Sequence, residues 1–324
     1  MKYVIVVNPQ ASQVRKNPDM IREILNRFMR HAQIVQSSTV SLLHHELSRI
    51  RHETDFSKVT LCIVGGDGTF KQLLDWVIDL PKSERPVLMP VGGGQFNFMT
   101  LHVGFRSGNP IRNLSKLFRH PKLCYARLWQ PIAVHDSLTN TKHHGAVMAN
   151  GVVSDFTELY EKNGKGNMIG VTRLVGSVVL AHAKTLLLGT RGHVNHTQGK
   201  LSIDHHAVAP DNEASIIVGA VDQFIPFCHP FHKKIETNRC AVIAYWGGLT
   251  ALAASIPPFW TGSISPLTDL HTCNTNADCI RLNTKDDRMI IDGDFFRWPT
   301  PKDSKPNRTF TITRGPEVTL LFCK

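Results

Sequence analysis

A glycine-rich pentapeptide, Gly65-Gly66-Asp67-Gly68-Thr69, joins a predicted strand to a predicted helix near the N-terminus. The run before it, residues 59–64, is rich in β-branched residues, and the apolar positions from Phe70 to Ile78 recur at helical spacing. A second glycine run, Gly92-Gly93-Gly94, follows the next predicted strand, residues 87–91. Because ligands bind at the carboxyl ends of the strands in open parallel sheets, these two runs predict a ligand site.

The first glycine run has the residues that a phosphate site needs. Glycines let backbone N–H groups approach an anion, and the positive end of the following helix helps to hold it. Asp67 is unusual there, since a carboxylate beside phosphates is repulsive unless it holds Mg²⁺ or takes a proton. A bare tight turn would account for neither Asp67 nor Thr69, so the pattern favours phosphate binding.

Strand and helix patterns divide the chain into two predicted domains. Over residues 1–122 they alternate, which predicts an α/β domain with a Rossmann-like parallel sheet and helices on both of its faces. Residues 123–324 contain short β-rich segments separated by turn residues, interrupted by one helical pattern at about 171–188. They predict a mostly β domain. A length of 324 residues fits two domains, because single cores stop growing above about 250 residues.

The charge balance favours anionic partners. The chain has 37 Lys and Arg residues against 26 Asp and Glu, a formal net charge of +11. It carries no zinc-finger or RNA-binding signature, so we expect a nucleotide and a membrane surface rather than nucleic acid. The apolar run 174–188 contains His182 and Lys184 and is shorter than the roughly 20 residues that cross a bilayer. The N-terminal apolar run is too short for a signal peptide. We therefore expect a cytoplasmic protein without a transmembrane helix.

The seven cysteines lack the spacing of a small disulfide scaffold. Cys62 and Cys323 lie in apolar runs, which predicts reduced core thiols of a cytosolic protein. Cys273 and Cys279 leave open a disulfide or half of a metal site. The adjacent histidine pairs have no recognised ligand spacing, so no metal is assigned to them.

Several motifs resemble those of the lipid-kinase family that includes diacylglycerol, sphingosine and ceramide kinases. Gly65–Thr69 after a strand is similar to a signature that this family shares with NAD kinases and, more distantly, phosphofructokinases. Asn8-Pro9 after the first strand resembles the Asn-Pro loop that separates the lipid kinases from the others. Residues 97–104 resemble the segment after the family's Gly-Thr-x-Asn motif, residues 290–294 its Asp-Gly-Glu, and residues 312–320 its closing β segment.

The resemblance implies an ATP-dependent lipid kinase that transfers the γ-phosphoryl group to a diacylglycerol- or sphingosine-like hydroxyl, with Mg²⁺ as the required ion. It implies a nucleotide domain and a β-sandwich domain, with residues 290–296 returning to the cleft between them. Asp294 is implied as the general base, and Asp67 as the residue that supports Mg²⁺ and phosphate. The implied nucleotide-binding residues are Asn8, Pro9, Gly65, Gly66, Asp67, Gly68, Thr69, Gly94 and Asn97.

Four positions depart from the family pattern and lie where phosphate and Mg²⁺-bound water would be handled. Gln13 replaces a glycine, Gln72 an acid, Gln95 a threonine and Phe98 an aspartate. They leave open an altered nucleotide preference and a weak or inactive protein. The rival functions are an NAD-kinase-like enzyme and a lipid- or nucleotide-binding relative without activity.

Three further points stay open at the level of sequence. Asp292-Gly293 is a common turn pair, so a simple turn is the alternative for that motif. Arg15 and Lys16 either contact phosphates or form a solvated charge pair. The oligomeric state is undetermined, with a homodimer as one option.

A lipid acceptor in a bilayer predicts peripheral, charge-driven docking on an anionic membrane surface. Four aromatic residues in Pro-containing stretches of the second domain either insert into the bilayer or pack in the core: Phe227, Phe231, Phe259 and Trp260.

Overall fold

The computed structural model describes residues 2–95, 97–105, 108–151, 153–154, 197–208, 213–222, 230–231, 234–236, 238–247, 270–299 and 307–324. Contacts divide the chain into two compact units. The first combines Met1–Gln130 with Pro316–Lys324, and the second is Pro131–Gly315.

The first unit is built on a six-stranded sheet in the order β2-β1-β3-β4-β18-β5. Strands β1 to β4 are parallel to one another, β18 is parallel to β4, and β5 is antiparallel to β18. The strands are β1 (Lys2–Val7), β2 (Gln33–Gln36), β3 (Val59–Gly65), β4 (Val87–Gly93), β5 (Cys124–Trp129) and β18 (Val318–Cys323). The helices are α1 (Ser12–Lys16), α2 (Asp19–Phe28), α3 (Val40–Glu53), α4 (Asp67–Ile78), α5 (Phe98–His102) and α6 (Pro110–Arg119).

Burial and capping explain why these segments form. All seven residues of β3 and of β4 are buried, as expected for central strands of a parallel sheet. In α2 the buried residues are Met20, Ile24 and Phe28, which form one helical stripe. Helix α3 begins after Thr39, whose hydroxyl accepts the backbone N–H of Leu42. The α/β arrangement predicted for the N-terminal region is confirmed.

The structure corrects three expectations from the sequence. Residues 316–324 were assigned to the second domain, but β18 lies between β4 and β5 in the first sheet. The predicted boundary at residues 122 and 123 cuts just before β5, whereas the contact boundary follows Gln130. The sheet is also mixed rather than wholly parallel at this end, because β5 runs antiparallel to β18.

The second unit is mostly β, as predicted. Its strands form a 12-stranded sheet whose main path is β16-β15-β8-β11-β9-β14-β17-β6-β7. They are β6 (Ile132–Asp136), β7 (Thr141–Gly145), β8 (Val147–Ala149), β9 (Thr197–Ile203), β10 (His206–Ala207), β11 (Glu213–Gly219), β12 (Cys240–Tyr245), β13 (Thr272–Ala277), β14 (Ile280–Thr284), β15 (Arg288–Ile291), β16 (Asp294–Arg297) and β17 (Arg308–Arg314). The packing of this sheet as a sandwich stays a prediction. The helix predicted at 171–188 lies outside the described residues.

A buried ion pair joins two strands of the second unit. Arg308 on β17 is 1% exposed and lies 3.6 Å from the carboxylate of Asp136 on β6, which is fully buried. The same carboxylate accepts the hydroxyl of Thr139 at 2.7 Å and backbone N–H groups of the β6–β7 turn. These hydrogen bonds offset the cost of burying the charge.

The cysteines differ in part from the expectation of reduced thiols. Cys124 on β5 and Cys323 on β18 are opposite each other and form a disulfide, so the expectation for Cys323 is wrong. Cys62 and Cys240 are free and buried, and burial raises the pKa of both thiols, that of Cys240 to about 12. Cys279 is free, so it forms no disulfide with Cys273. The sequence missed the pair because 199 residues separate the two cysteines.

In the described part of the chain, no helix is long and apolar enough to cross a bilayer.

We predict that the disulfide stabilises the first unit. Cys124→Ser should lower the free energy of unfolding by about 2–4 kcal/mol, because the bond closes a long loop in the unfolded chain. Reductant should lower the urea midpoint of the wild-type protein and leave that of the variant unchanged. Cys279→Ser, which removes a free thiol, is the control. Alkylation of both Cys124 and Cys323 in unreduced, denatured protein, detected by mass spectrometry, would contradict this prediction.

Candidate functional site

The glycine runs lie side by side at the carboxyl edge of the first sheet. Strands β3 and β4 are neighbours, with Gly65 opposite Gly93 in their register. Strand β1 pairs with the other side of β3, so Asn8, which follows β1, reaches the same edge. Its backbone N–H donates to the carbonyl of Val64 at 2.9 Å. The structure therefore brings together the Asn-Pro loop and both glycine runs.

The two glycine runs touch through their backbones. A Cβ atom placed on Gly66 would lie 3.2 Å from the Cα of Gly94, and one placed on Gly94 would collide with the Cα of Gly66. Gly92 and Gly93 have φ values of 103° and 122°, which side chains rarely tolerate. Glycine is thus required here for the approach of the two runs, in addition to any role toward a ligand.

Helix α4 begins inside the first glycine run and points its N-terminus at this edge. Its N-cap residue, Gly66, has no side chain to cap the first backbone N–H groups, and Asp67, Gly68 and Thr69 form the first turn. N–H groups of a first turn have no acceptor within their own helix. Together with the helix dipole they make a site suited to an anion such as phosphate.

Asn8 fastens the Asn-Pro loop to that first turn. Its Nδ2 donates to the hydroxyl of Thr69 at 2.9 Å, and its Oδ1 accepts the backbone N–H of Gln10 at 2.9 Å. Pro9 next to it is half-buried, and Arg15 and Lys16 lie exposed at the end of α1. This hydrogen bond between Asn8 and Thr69 joins the two loops, a contact that the sequence did not reveal.

Asp67 has a role that the sequence did not predict. Its side chain is 9% exposed, and its two carboxylate oxygens accept the backbone N–H groups of Phe98 at 3.3 Å and Met99 at 3.2 Å. It therefore caps helix α5, which follows the second glycine run. Each carboxylate oxygen keeps a further lone pair beyond these hydrogen bonds, so a role of Asp67 toward Mg²⁺ stays a prediction. Among the described residues, no three His, Cys, Asp or Glu side chains gather into a metal site.

The side chain of Asn97 folds back onto the backbone of Gly94 in the second glycine run. It adopts a left-handed φ of 53°, its Oδ1 accepts the N–H of Gly94, and its Nδ2 donates to the carbonyl of Gly94, both at 2.8 Å. A Cβ atom on Gly108 would lie 2.6 Å from Nδ2 of Asn97 and 2.9 Å from Nε2 of Gln13. Gly108 is therefore part of this edge, although nothing in the sequence singled it out.

The four departures from the family pattern occupy different environments. Gln13 lies beside Gly108 and Asn97, and Gln95 is exposed. Gln72 is half-buried on α4, and the Phe98 side chain is 5% exposed.

The Asp292-Gly293-Asp294 motif of the second unit is a two-residue hairpin turn. Asp292 and Gly293 have φ values of 54° and 85°, and Ile291 pairs with Asp294 across β15 and β16. The simple turn left open by the sequence is therefore present. Asp294 stands at the start of β16, where it is exposed to solvent.

Asp292 anchors this hairpin to its neighbour strand. It is 4% exposed, and its Oδ1 accepts the backbone N–H groups of Ala146 at 2.8 Å and Val147 at 2.9 Å. Its own N–H donates to the carbonyl of Val147 at 2.9 Å. The two acids of the motif thus differ, since one is a buried anchor and the other is accessible.

Phe231 packs in the interior with Ala241 and Ile243 and is 8% exposed. Of the two options that the sequence left open for it, bilayer insertion and core packing, it therefore shows core packing. Phe227, Phe259 and Trp260 lie outside the described residues.

Comparisons with known proteins show which proteins this chain resembles. The chain resembles three solved structures from Bacillus anthracis str. Sterne named as diacylglycerol kinases, two of them provisionally, with TM-scores of 0.64, 0.58 and 0.62 at 15%, 14% and 15% identity. The alignments cover 99% of this chain and 96%, 96% and 97% of theirs, and this similarity establishes the fold. No curated protein matched the sequence. Residues 2–123 match the family model of the diacylglycerol kinase catalytic domain, so this part of the chain is similar to that lipid-kinase family.

Proposed function

We propose that the chain is an ATP-dependent lipid kinase that phosphorylates the hydroxyl of a diacylglycerol- or sphingosine-like lipid. The observation that carries the proposal is the pair of glycine runs beside the N-terminus of α4, in a domain similar to the diacylglycerol kinase family. Backbone N–H groups at such a helix start suit the phosphates of a nucleotide.

The chain's own residues would position the reactants rather than react covalently. Phosphoryl transfer needs alignment, charge neutralisation and one proton acceptor. Gly66, Gly68 and Thr69 would hold phosphate oxygens through backbone N–H groups, while Asn8 keeps Thr69 in place. Asp67 would fix the two runs relative to each other by its hydrogen bonds to α5.

Asp294 is the proposed general base. Its carboxylate is exposed and stands on a hairpin held by the buried Asp292, so a lipid hydroxyl can reach it. Mg²⁺ would come with the nucleotide and neutralise charge on its phosphates. The lipid acceptor implies a cytoplasmic protein that associates peripherally with an anionic membrane.

A phosphate-transfer assay tests the activity. Radiolabelled ATP would be offered with diacylglycerol, sphingosine, ceramide or NAD, each in the presence of Mg²⁺. Label on a lipid supports the proposal, and label on NAD would favour an NAD-kinase-like enzyme. Binding of ATP without transfer to any acceptor would overturn it.

A second candidate is a nucleotide-binding relative without kinase activity. It is favoured by Asp67, whose oxygens both accept backbone N–H groups, and by glutamine at position 72 in place of an acid. The two candidates agree on ATP binding and differ in turnover, so the same assay separates them.

We predict that the Thr69 hydroxyl supports ATP binding through Asn8. Thr69→Val keeps the shape of the side chain and removes the acceptor, so ATP affinity should fall about threefold to tenfold, the worth of one hydrogen bond. Thr69→Ser keeps the hydroxyl and serves as the matched control, with affinity close to that of the wild type. Isothermal titration calorimetry measures both. Equal affinities for the Val and Ser variants would remove this contact from the site.

We predict that the two acids of the hairpin have different roles: Asp294 supports turnover and Asp292 supports stability. Asp294→Asn should lower turnover on the order of a hundredfold to ten-thousandfold without changing ATP affinity or the unfolding midpoint. Asp292→Ala should instead destabilise the protein by about 2–4 kcal/mol, because it leaves the N–H groups of Ala146 and Val147 without their acceptor. Steady-state kinetics and urea unfolding measure the two effects. Near-normal turnover of Asp294→Asn would place the base elsewhere.

A further inference from the structure

The first sheet ends in an edge strand with exposed apolar side chains. Strand β5 pairs with β18 on one side, and no strand in the described part of the chain pairs with its other side. Residues 125–128 are all exposed. Leu128 is 59% exposed, Tyr125 44%, and Leu123 in the turn before the strand 44%. An exposed edge of this kind is a contact surface unless it is blocked.

The stretch of sequence that contains this strand has basic residues and no acidic ones. Residues 85–135 contain seven Lys or Arg residues and no Asp or Glu, in a chain that has 26 acids. Arg119, Lys122 and Arg127 are exposed, and Lys324 is exposed directly after β18. The apolar side chains therefore lie among cations that have no neighbouring carboxylate in sequence.

Aromatic contacts hold two of these cations in place. The ring of Tyr125 stacks on Phe322 of β18, with centroids 5.8 Å apart. The guanidinium of Arg127 lies 5.8 Å from the Phe322 ring, and the ammonium of Lys324 lies 5.7 Å from the Tyr125 ring. Because side chains alternate along a strand, Ala126 and Leu128 lie on the opposite face of β5. Arg127 and Lys324 thus lie on the sheet face that carries Tyr125 and Phe322, and Leu128 lies on the other face, so they flank the free edge of β5 from its two sides.

We propose that residues 119–128 together with Lys324, here called the β5 edge, dock on the surface of an anionic lipid bilayer. The cations would meet lipid headgroups, and Leu123 and Leu128 would enter the boundary between headgroups and acyl chains. The proposal rests on the proposed function, since a lipid acceptor stays in the bilayer. It identifies a docking surface different from the aromatic residues that the sequence suggested.

A bilayer fits the β5 edge better than a second copy of the chain does. Two copies of β5 side by side would bring the same set of cations together in a protein whose formal net charge is +11. An anionic bilayer supplies the opposite charge and an apolar layer for the exposed leucines at once.

Sedimentation with vesicles tests the proposal. The full-length protein would be mixed with phosphatidylcholine vesicles or with vesicles of phosphatidylcholine and phosphatidylglycerol, at low and high salt. We expect binding to the anionic vesicles that weakens with salt. Lys122→Gln with Arg127→Gln should weaken it about fivefold per charge, and Leu123→Ser with Leu128→Ser should weaken it about tenfold or more.

Matched variants control for charge and exposed apolar area elsewhere. Arg281→Gln with Lys285→Gln removes the same charge from exposed positions on and after β14, and Met29→Ser with Leu42→Ser removes side chains that are 65% and 57% exposed. Both controls should bind vesicles within about twofold of the wild type. Circular dichroism would establish that all four variants are folded.

The outcomes separate docking from catalysis. Kinase activity is measured in parallel on a water-soluble short-chain acceptor, which needs no docking and should be unaffected by the β5 edge variants. Loss of vesicle binding in the edge variants alone supports the proposal, even if no acceptor is phosphorylated. Wild-type binding by folded edge variants would overturn it and leave the kinase proposal standing. A dimer in analytical ultracentrifugation that the leucine variants dissociate would also overturn it in favour of self-association.

Discussion

The contact between Gly66 and Gly94 sets the arrangement of the candidate site. The approach requires glycine at position 94, because a Cβ there would collide with the Cα of Gly66, and it leaves little room for a Cβ at position 66. The approach brings the N-terminus of α4 next to the second glycine run. It also puts Asp67 within reach of the first N–H groups of α5.

Two acids, one in each unit, have the same structural role as acceptors for backbone N–H groups. Asp67 accepts two backbone N–H groups at the start of α5, and Asp292 accepts two from Ala146 and Val147. In each case one buried carboxylate satisfies a pair of donors that would otherwise be costly to bury. Acids in the signature motifs therefore organise backbone, and a chemical role for either has to be compatible with that task.

The C-terminal strand links distant parts of the first unit. Strand β18 inserts between β4 and β5, is joined to β5 by the disulfide, and donates the N–H of Cys323 to the carbonyl of Val103 at 2.8 Å. Gly104 must be glycine there, since its φ is 92° and a Cβ would collide with the carbonyl of Cys323. The last residues of the chain thus support the segment after α5 and complete the exposed β5 edge.

The sequence by itself determined the elements whose signal is local. Apolar runs predicted β1, β3 and β4, a helical stripe predicted α4, and the glycine run at Gly65–Thr69 pointed to the resemblance to lipid kinases. Long-range partners were decided only by tertiary structure. The pairing of Cys124 with Cys323, the placement of β18 and the capping of α5 by Asp67 depend on residues far apart in the chain, and neither periodicity nor spacing encodes which of them meet. Gly108 was missed for the same reason, because its closeness to Asn97 arises only when the second glycine run folds back on itself.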